Sequence, residues 1–159
     1  MTITERVQAD LTTASKARDQ RRVSALRLLL DALKKAAKEA QSELDEQGEI
    51  AVLTRERKRR VEAAEAYRNG GRAEQAMAEE AEAGVIDEYL PERLSDEDLE
   101  AIVTQAVAES GAGSSREIGR VMSLVMPKVA GRADGKRVSE LARLKIEGEG
   151  GAPAQRAGL

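Results

Sequence analysis

The stretch RVSALRLLLDALKKAAKEA, residues 22–40, decides the fold class of this 159-residue chain. Its apolar residues recur at alternating intervals of three and four, which is the spacing of one face of an α-helix. The residues on that face are Val23, Leu26, Leu30, Leu33 and Ala37. The sequence therefore predicts a helix of about 20 residues whose apolar face, called the seam, packs on another helix, within one chain or between two.

The composition excludes several classes of protein. Phe and Trp are absent, so the core must be aliphatic, which favours helices packed on helices. Cysteine and histidine are also absent, which removes disulfides, thiol nucleophiles, the commonest general base and the commonest neutral metal ligand. No apolar run approaches the roughly 18 residues of a membrane span, and the start MTITERVQAD lacks the pattern of a signal peptide. We therefore expect a cytoplasmic protein.

Three more helices are predicted around the seam. A short N-terminal helix caps it, with apolar residues Ile3, Val7 and Leu11. Gly48 is predicted to turn the chain into a second long helix, which ends at the break NGGR, residues 69–72. Two long helices with a short connection form an antiparallel hairpin. The third helix starts at Ala73 and ends before Pro91. Its apolar face is predicted from Met77, Ala81, Val85 and Tyr89.

Pro91 marks the boundary of a second subdomain. Ser95 followed by Asp98 is the pattern of a helix-capping box. The helix after it carries Leu99, Ile102, Val103 and Val107 on one face. Ser114 followed by Glu117 predicts a second capping box, and the apolar spacing of the next helix continues through Pro127. That helix is therefore predicted to be kinked at the proline rather than ended there.

The last predicted helix follows a tight turn. Gly131 is expected to end the preceding helix in the left-handed conformation, and Asp134 is expected to cap the next helix. The residues expected to face inward are Val138, Leu141 and Leu144. The prediction is an all-α protein with a long-helix hairpin subdomain at residues 1–90 and a small three-helix subdomain at residues 95–146. Residues 147–159, rich in small residues, are predicted to form a flexible tail.

Charge is segregated along the chain, although the formal net charge is only −3. Residues 16–72 carry 15 basic and 10 acidic side chains, residues 73–111 carry 1 and 12, and residues 112–146 carry 8 and 3. Such blocks are often no more than solvated helix faces. Two basic blocks separated by an acidic one also fit a polyanionic partner, so both interpretations stay open.

Four basic residues surround the turn between the last two helices. Lys128 and Arg132 lie at a helix C-terminus, where the helix dipole favours positive charge. Lys136 and Arg137 lie in the first turn of the next helix, where each exposed positive charge costs about 0.3–1 kcal/mol. An anion bound at this turn would explain their position. The alternative is an ion pair within the helix between Lys136 and Glu140.

A second basic cluster, RERKRR at residues 55–60, lies on the second long helix. Arg55 and Arg59 share one helix face and form a secondary candidate for nucleic-acid contact. Arg57 and Arg60 fall near the seam, so their charged ends must reach outward or meet acidic side chains. The partners expected across the hairpin are Glu39 and Glu43. Intramolecular pairing, nucleic-acid contact and a protein-binding groove all stay open for this cluster.

Two segments of the sequence resemble the GatB/YqeY domain family. They are IDEYLPERLSDEDLEAIV, residues 86–103, and GRVMSLVMPKVAGRADGKRV, residues 119–138, and the resemblance extends over residues 1–146. The chain is similar to stand-alone YqeY-like proteins, in which a helical domain precedes a three-helix domain resembling the tail of the B subunit of tRNA-dependent amidotransferase. The family's basic-glycine-basic turn maps onto residues 130–134, with Ala130 where a lysine is common.

The resemblance implies a non-catalytic accessory module that associates with tRNA through the basic turn. The residues implied are Lys128, Arg132, Lys136 and Arg137, and the implied protein partner is an amidotransferase or an aminoacyl-tRNA synthetase. With few aromatic side chains, such a module would read the RNA backbone and its shape. One alternative is a helical protein-interaction module without RNA. Another is carbon–nitrogen ligase activity, with glutamine as the amido-nitrogen donor, carried out only within a larger complex.

No catalytic residue, cofactor or metal site is predicted for the chain alone. Amidases of the related system use a lysine with two serines, and Ser114, Ser115 and Lys128 have these residue types. About 13 residues of helix separate them, or roughly 20 Å, which is too far for direct cooperation. The carboxylates of residues 79–100 are expected to be helix caps and solvated charges rather than metal ligands.

Overall fold

The computed structural model describes the backbone of residues 1–156 and the side chains of residues 1–148. In this part of the chain there are seven α-helices, one short 3-10 helix and no strand. The predicted all-α fold is confirmed. The chain divides into two compact units, Met1–Pro91 and Glu92–Leu159, and each has its own apolar core.

The first unit contains four α-helices. They are α1 (Ile3–Lys16), α2 (Gln20–Ala40), α3 (Glu46–Asn69) and α4 (Ala73–Asp87). Its core forms where α2 packs against the other three helices. The predicted seam residues Val23, Leu26, Leu30 and Leu33 are buried, and Leu29 widens the buried face. Because Ile50 and Leu53 of the same chain join this cluster, the seam is closed within one chain.

The turn predicted at Gly48 is wrong. Helix α2 is capped by Gln41 in the left-handed conformation, and Gly48 lies in the first turn of α3. The carboxylate of Asp45 caps α3 by accepting a hydrogen bond of 2.7 Å from the Gly48 amide. A Cβ atom at position 48 would lie 3.1 Å from that carboxylate. Glycine therefore leaves room for the cap instead of forming a turn.

Helix α4 buries a different face from the one predicted. Met77 is 62% exposed and Ala81 is also exposed, although Tyr89, just beyond the helix, is buried as expected. The buried residues of α4 are Ala76, Ala83 and Ile86. In this rotation of α4, which the four-residue spacing did not predict, acidic side chains of the helix reach arginines of α3.

The second unit contains α5 (Asp96–Ser110), the 3-10 helix Ser115–Glu117, α6 (Ile118–Val129) and α7 (Gly135–Arg156). Its core consists of valines and other aliphatic residues from the three α-helices. The cap predicted at Ser95 is confirmed, because its hydroxyl oxygen accepts a hydrogen bond from the Asp98 amide. Helix α6 continues through Pro127, as predicted.

Two expectations in the second unit are wrong. Ser114 makes no side-chain cap, because a 3-10 turn separates it from α6 and changes the position of the amides it was expected to bind. Leu144 is 63% exposed, because Ala142 and Ile146 take the inward positions of α7 beside Val138. Within the segment expected to be a flexible tail, α7 continues as far as Arg156. Residues 157–159 of that segment lie outside the described residues.

Candidate nucleic-acid interface at the turn between α6 and α7

The turn between α6 and α7 is built from two successive residues in the left-handed conformation. Ala130 has a φ of 47° and Gly131 a φ of 78°. The sequence predicted a glycine cap, but the capping residue of α6 is Ala130. A non-glycine residue in this conformation costs roughly 1–2 kcal/mol. Only residues 130–134 separate the end of α6 from the start of α7.

Arg132 folds back onto the end of α6. Its Nε donates a hydrogen bond to the Val129 carbonyl at 3.1 Å, and one terminal nitrogen donates to the Lys128 carbonyl at 2.8 Å. Its own carbonyl accepts a hydrogen bond from the Leu94 amide at 2.9 Å. The Arg132 guanidinium therefore caps the negative end of α6, and part of its donor capacity is already used within the fold.

Lys128 and Arg137 each make one long ionic contact. The Lys128 ammonium lies 3.9 Å from a Glu109 carboxylate oxygen, and the Arg137 guanidinium lies 4.0 Å from Asp96. These distances are at the limit of an ion pair, and exposed pairs of this kind contribute about 0–1 kcal/mol. Both basic groups can therefore exchange these carboxylates for another anion at little cost.

Lys136 is exposed in the first turn of α7. The ion pair considered between Lys136 and Glu140 does not form, and no other carboxylate among the described residues lies within ion-pair distance of this ammonium. Its charge is thus placed at the positive end of a helix without compensation from the described part of the chain.

The acidic residue of the turn is drawn toward a basic residue that the sequence reasoning missed. The Asp134 carboxylate lies 3.2 Å from the guanidinium of Arg93. Arg93 is the single basic residue within the acidic block 73–111, and this isolation was the signal that could have identified it. Contact with Arg93 reduces the negative potential that Asp134 would otherwise impose on Lys136 and Arg137.

Arginines of the second basic cluster pair with acidic residues of α4. The predicted pairing with Glu39 and Glu43 is therefore wrong. Arg57 binds Asp87 at 2.5 Å, and Arg60 lies 3.4 Å from Glu79 and 3.3 Å from Glu82. Of the two secondary candidates, Arg59 pairs with Glu56 at 2.9 Å, whereas Arg55 is exposed. Arg55 has no ion pair within the described residues. Most of this cluster therefore serves the fold of the first unit.

Two of the three residues considered for amidase chemistry contact acidic side chains. The Ser115 hydroxyl donates a hydrogen bond to Glu147 at 3.0 Å, and Lys128 faces Glu109. Among the described residues, no three acidic side chains lie close enough together to hold a metal ion. The same part of the chain contains no helix that is both long enough and apolar enough to span a membrane.

These features define a class of small all-helical proteins with two units, the second carrying a basic turn between its last two helices. A model of the Yqey-like protein family matches residues 4–146. The chain therefore belongs to the YqeY-like family. A search of curated proteins found no similar sequence.

Proposed function

We propose that this protein is a non-catalytic accessory module that binds tRNA through the turn between α6 and α7. The residues proposed to contact phosphate are Lys128, Arg132, Lys136 and Arg137. The observation that carries the proposal is the placement of Lys136 and Arg137 in the first turn of α7, where the helix dipole opposes both charges. Among the described residues, Lys136 has no carboxylate within ion-pair distance, and Arg137 has only the 4.0 Å contact with Asp96. Phosphate at this position would meet both side-chain charges and helix amides.

The proposed recognition is of the RNA backbone and its shape. Base stacking needs exposed aromatic side chains, and the chain has only two tyrosines, of which Tyr89 is buried in the first unit. The four basic residues lie on α6, the turn and α7, which follow one another along the chain. Such a patch suits two or more neighbouring phosphates of a folded RNA.

Under this proposal, any catalytic step is performed by a partner enzyme. The chain contains no histidine or cysteine, and two of its three amidase candidates, Ser115 and Lys128, contact carboxylates. Amidation or aminoacylation of the bound tRNA would then be performed by an amidotransferase or an aminoacyl-tRNA synthetase. Carbon–nitrogen ligase activity would belong to that complex and not to this chain alone.

The test is binding of the purified full chain to bulk tRNA over a salt series. If four side chains contact phosphates, log K should fall against log salt with a slope of about −3 to −4. The variant Lys136→Glu/Arg137→Glu should reduce the magnitude of the slope by about 2 and weaken binding. It should keep or raise helix stability, because acidic residues in a first turn favour the dipole.

The matched control is Arg116→Glu/Arg143→Glu, which makes the same charge change on exposed residues of the same unit. It should bind tRNA nearly as well as the wild type. An equal loss in both variants would indicate only a general charge effect and would contradict the site. Absence of tRNA binding at low salt, together with a cellular complex that survives nuclease treatment, would favour the RNA-independent interaction module.

A further inference from the structure

A groove of about 950 Å³ separates the N-terminal half of α2 from α4 in the first unit. We call it the α2–α4 groove. Its apolar lining consists of Ala25 from α2 and Met77, Ala78, Ala81 and Val85 from α4. The proposed tRNA contacts all lie in the second unit, so the proposed function does not use this groove.

Five of the twelve residues that line the groove are apolar, and the largest of them, Met77 on α4, is 62% exposed. An exposed large apolar side chain beside other apolar side chains marks a surface that can bind another molecule. Ala78 and Ala81 next to it on α4 are also exposed and have short side chains, so the backbone of another helix can approach closely.

Two charged side chains at the edges of the groove make no ion pair with the described part of the chain. Arg21 on α2 and Glu74 on α4 both line the groove and are exposed. Neither has an ion pair within the described residues. The other charged side chains at the rim already have partners within the chain. Asp19 caps α2 by accepting a hydrogen bond from the Arg22 amide at 3.2 Å. The Arg22 side chain binds Glu88 at 2.8 Å, and Glu82 lies 3.3 Å from an arginine of α3.

We propose that the α2–α4 groove is covered by the same groove of a second copy of this chain. In a two-fold symmetric dimer, each surface residue meets a counterpart twice, once in each direction. Arg21 of one protomer would then face Glu74 of the partner subunit, and the converse contact would form at the other edge. An acidic partner would leave Glu74 unpaired and a basic one would leave Arg21 unpaired, whereas a second copy satisfies both charges.

The first test is analytical ultracentrifugation of the full chain over a range of concentrations. The wild type should show a concentration-dependent equilibrium between monomer and dimer. Met77→Glu should weaken dimerisation by roughly tenfold or more, because it places a charge in the apolar centre of the interface. Leu144→Glu is the matched control, since Leu144 is equally exposed, at 63%, but lies in the second unit; it should dimerise as the wild type does.

The second test is a charge exchange. Arg21→Glu and Glu74→Arg should each weaken the dimer, and the double variant should restore it, because the two contacts then reform with their signs reversed. Circular dichroism would establish that each variant is folded. A wild type that stays monomeric at every concentration, or a dimer unchanged by Met77→Glu, would overturn the proposal. So would a double variant no better than the single ones. Binding to tRNA is measured separately, so the two proposals can fail independently.

Discussion

The carboxylate of Glu49 in α3 accepts hydrogen bonds from both the amide and the hydroxyl of Thr4 in α1, each at 2.7 Å. Its other oxygen accepts a hydrogen bond from the Ile3 amide at 3.3 Å. Glu49 is only 3% exposed, and it is the one buried charged residue among those described. The free amides at the start of α1 compensate its burial. A side chain distant in sequence therefore ties α1 to α3.

We expect Glu49→Ala to lower the free energy of unfolding by about 1–3 kcal/mol, because it leaves buried amides of α1 without acceptors. Glu49→Gln retains one acceptor and should cost less. The control is Glu5→Gln, which changes an exposed cap of the same helix. Urea unfolding at neutral pH measures all three variants. An Ala variant as stable as the wild type would show that the contact contributes nothing.

Tyr89 should make stability fall at alkaline pH. Burial, followed by its hydrogen bond to Asp10, raises the pKa of the Tyr89 hydroxyl well above its ordinary value of 10.0. The folded state thus favours the protonated form. The resulting stabilisation is complete below pH 10.0 and is lost as the pH rises above it, toward the folded pKa.

The measurement for Tyr89 is an absorbance titration of Tyr67→Phe, a variant in which Tyr89 is the one remaining tyrosine. Its ionisation should coincide with unfolding followed by circular dichroism. Tyr89→Phe should lose less stability between about pH 9 and pH 11 than the wild type. Ionisation near pH 10 in a chain that stays folded would contradict the expected shift.

Substitution of the two left-handed residues of the basic turn should change the free energy of unfolding in opposite directions. Gly131→Ala should lower the free energy of unfolding by about 1–2 kcal/mol, because alanine is strained at a φ of 78°. Ala130→Gly should raise it by up to about 1 kcal/mol, because relief of strain exceeds the added entropy of the unfolded chain. Thermal unfolding of both variants provides the check, and equal signs would exclude this account of the turn.

The ion pairs between α3 and α4 should contribute more to the free energy of unfolding where they are more buried. Asp87→Ala removes a 2.5 Å contact of the Arg57 guanidinium, whose side chain is only 15% exposed, and should cost about 1–3 kcal/mol. Glu80→Ala removes an exposed pair with Arg68 and should cost less than about 1 kcal/mol. Denaturant unfolding at low and high salt compares them. The Glu80 effect should shrink at high salt more than the Asp87 effect.

Local sequence patterns predicted much of the fold. The seam of α2, the cap at Ser95 and the passage of α6 through Pro127 depend on neighbours within about one or two helical turns, so spacing alone identifies them. The same local reasoning placed four basic residues around one turn and pointed out that Lys136 and Arg137 oppose the helix dipole. It also failed at Gly48 and Ser114. Helix α2 ends at Gln41 and Asp45 caps α3, so Gly48 forms no turn, and a 3-10 turn separates Ser114 from the amides that it was expected to bind.

The sequence by itself determined that this chain forms amphipathic helices and that its charges come in blocks, because both follow from the order of residues along the chain. Only the tertiary structure decided which charge meets which. The acids that bind Arg57 and Arg60 lie on α4, the partner of Asp134 is Arg93, and Glu49 caps α1. These contacts depend on helix rotation and packing, since a shift of one residue turns a side chain by about 100° and brings it to different neighbours.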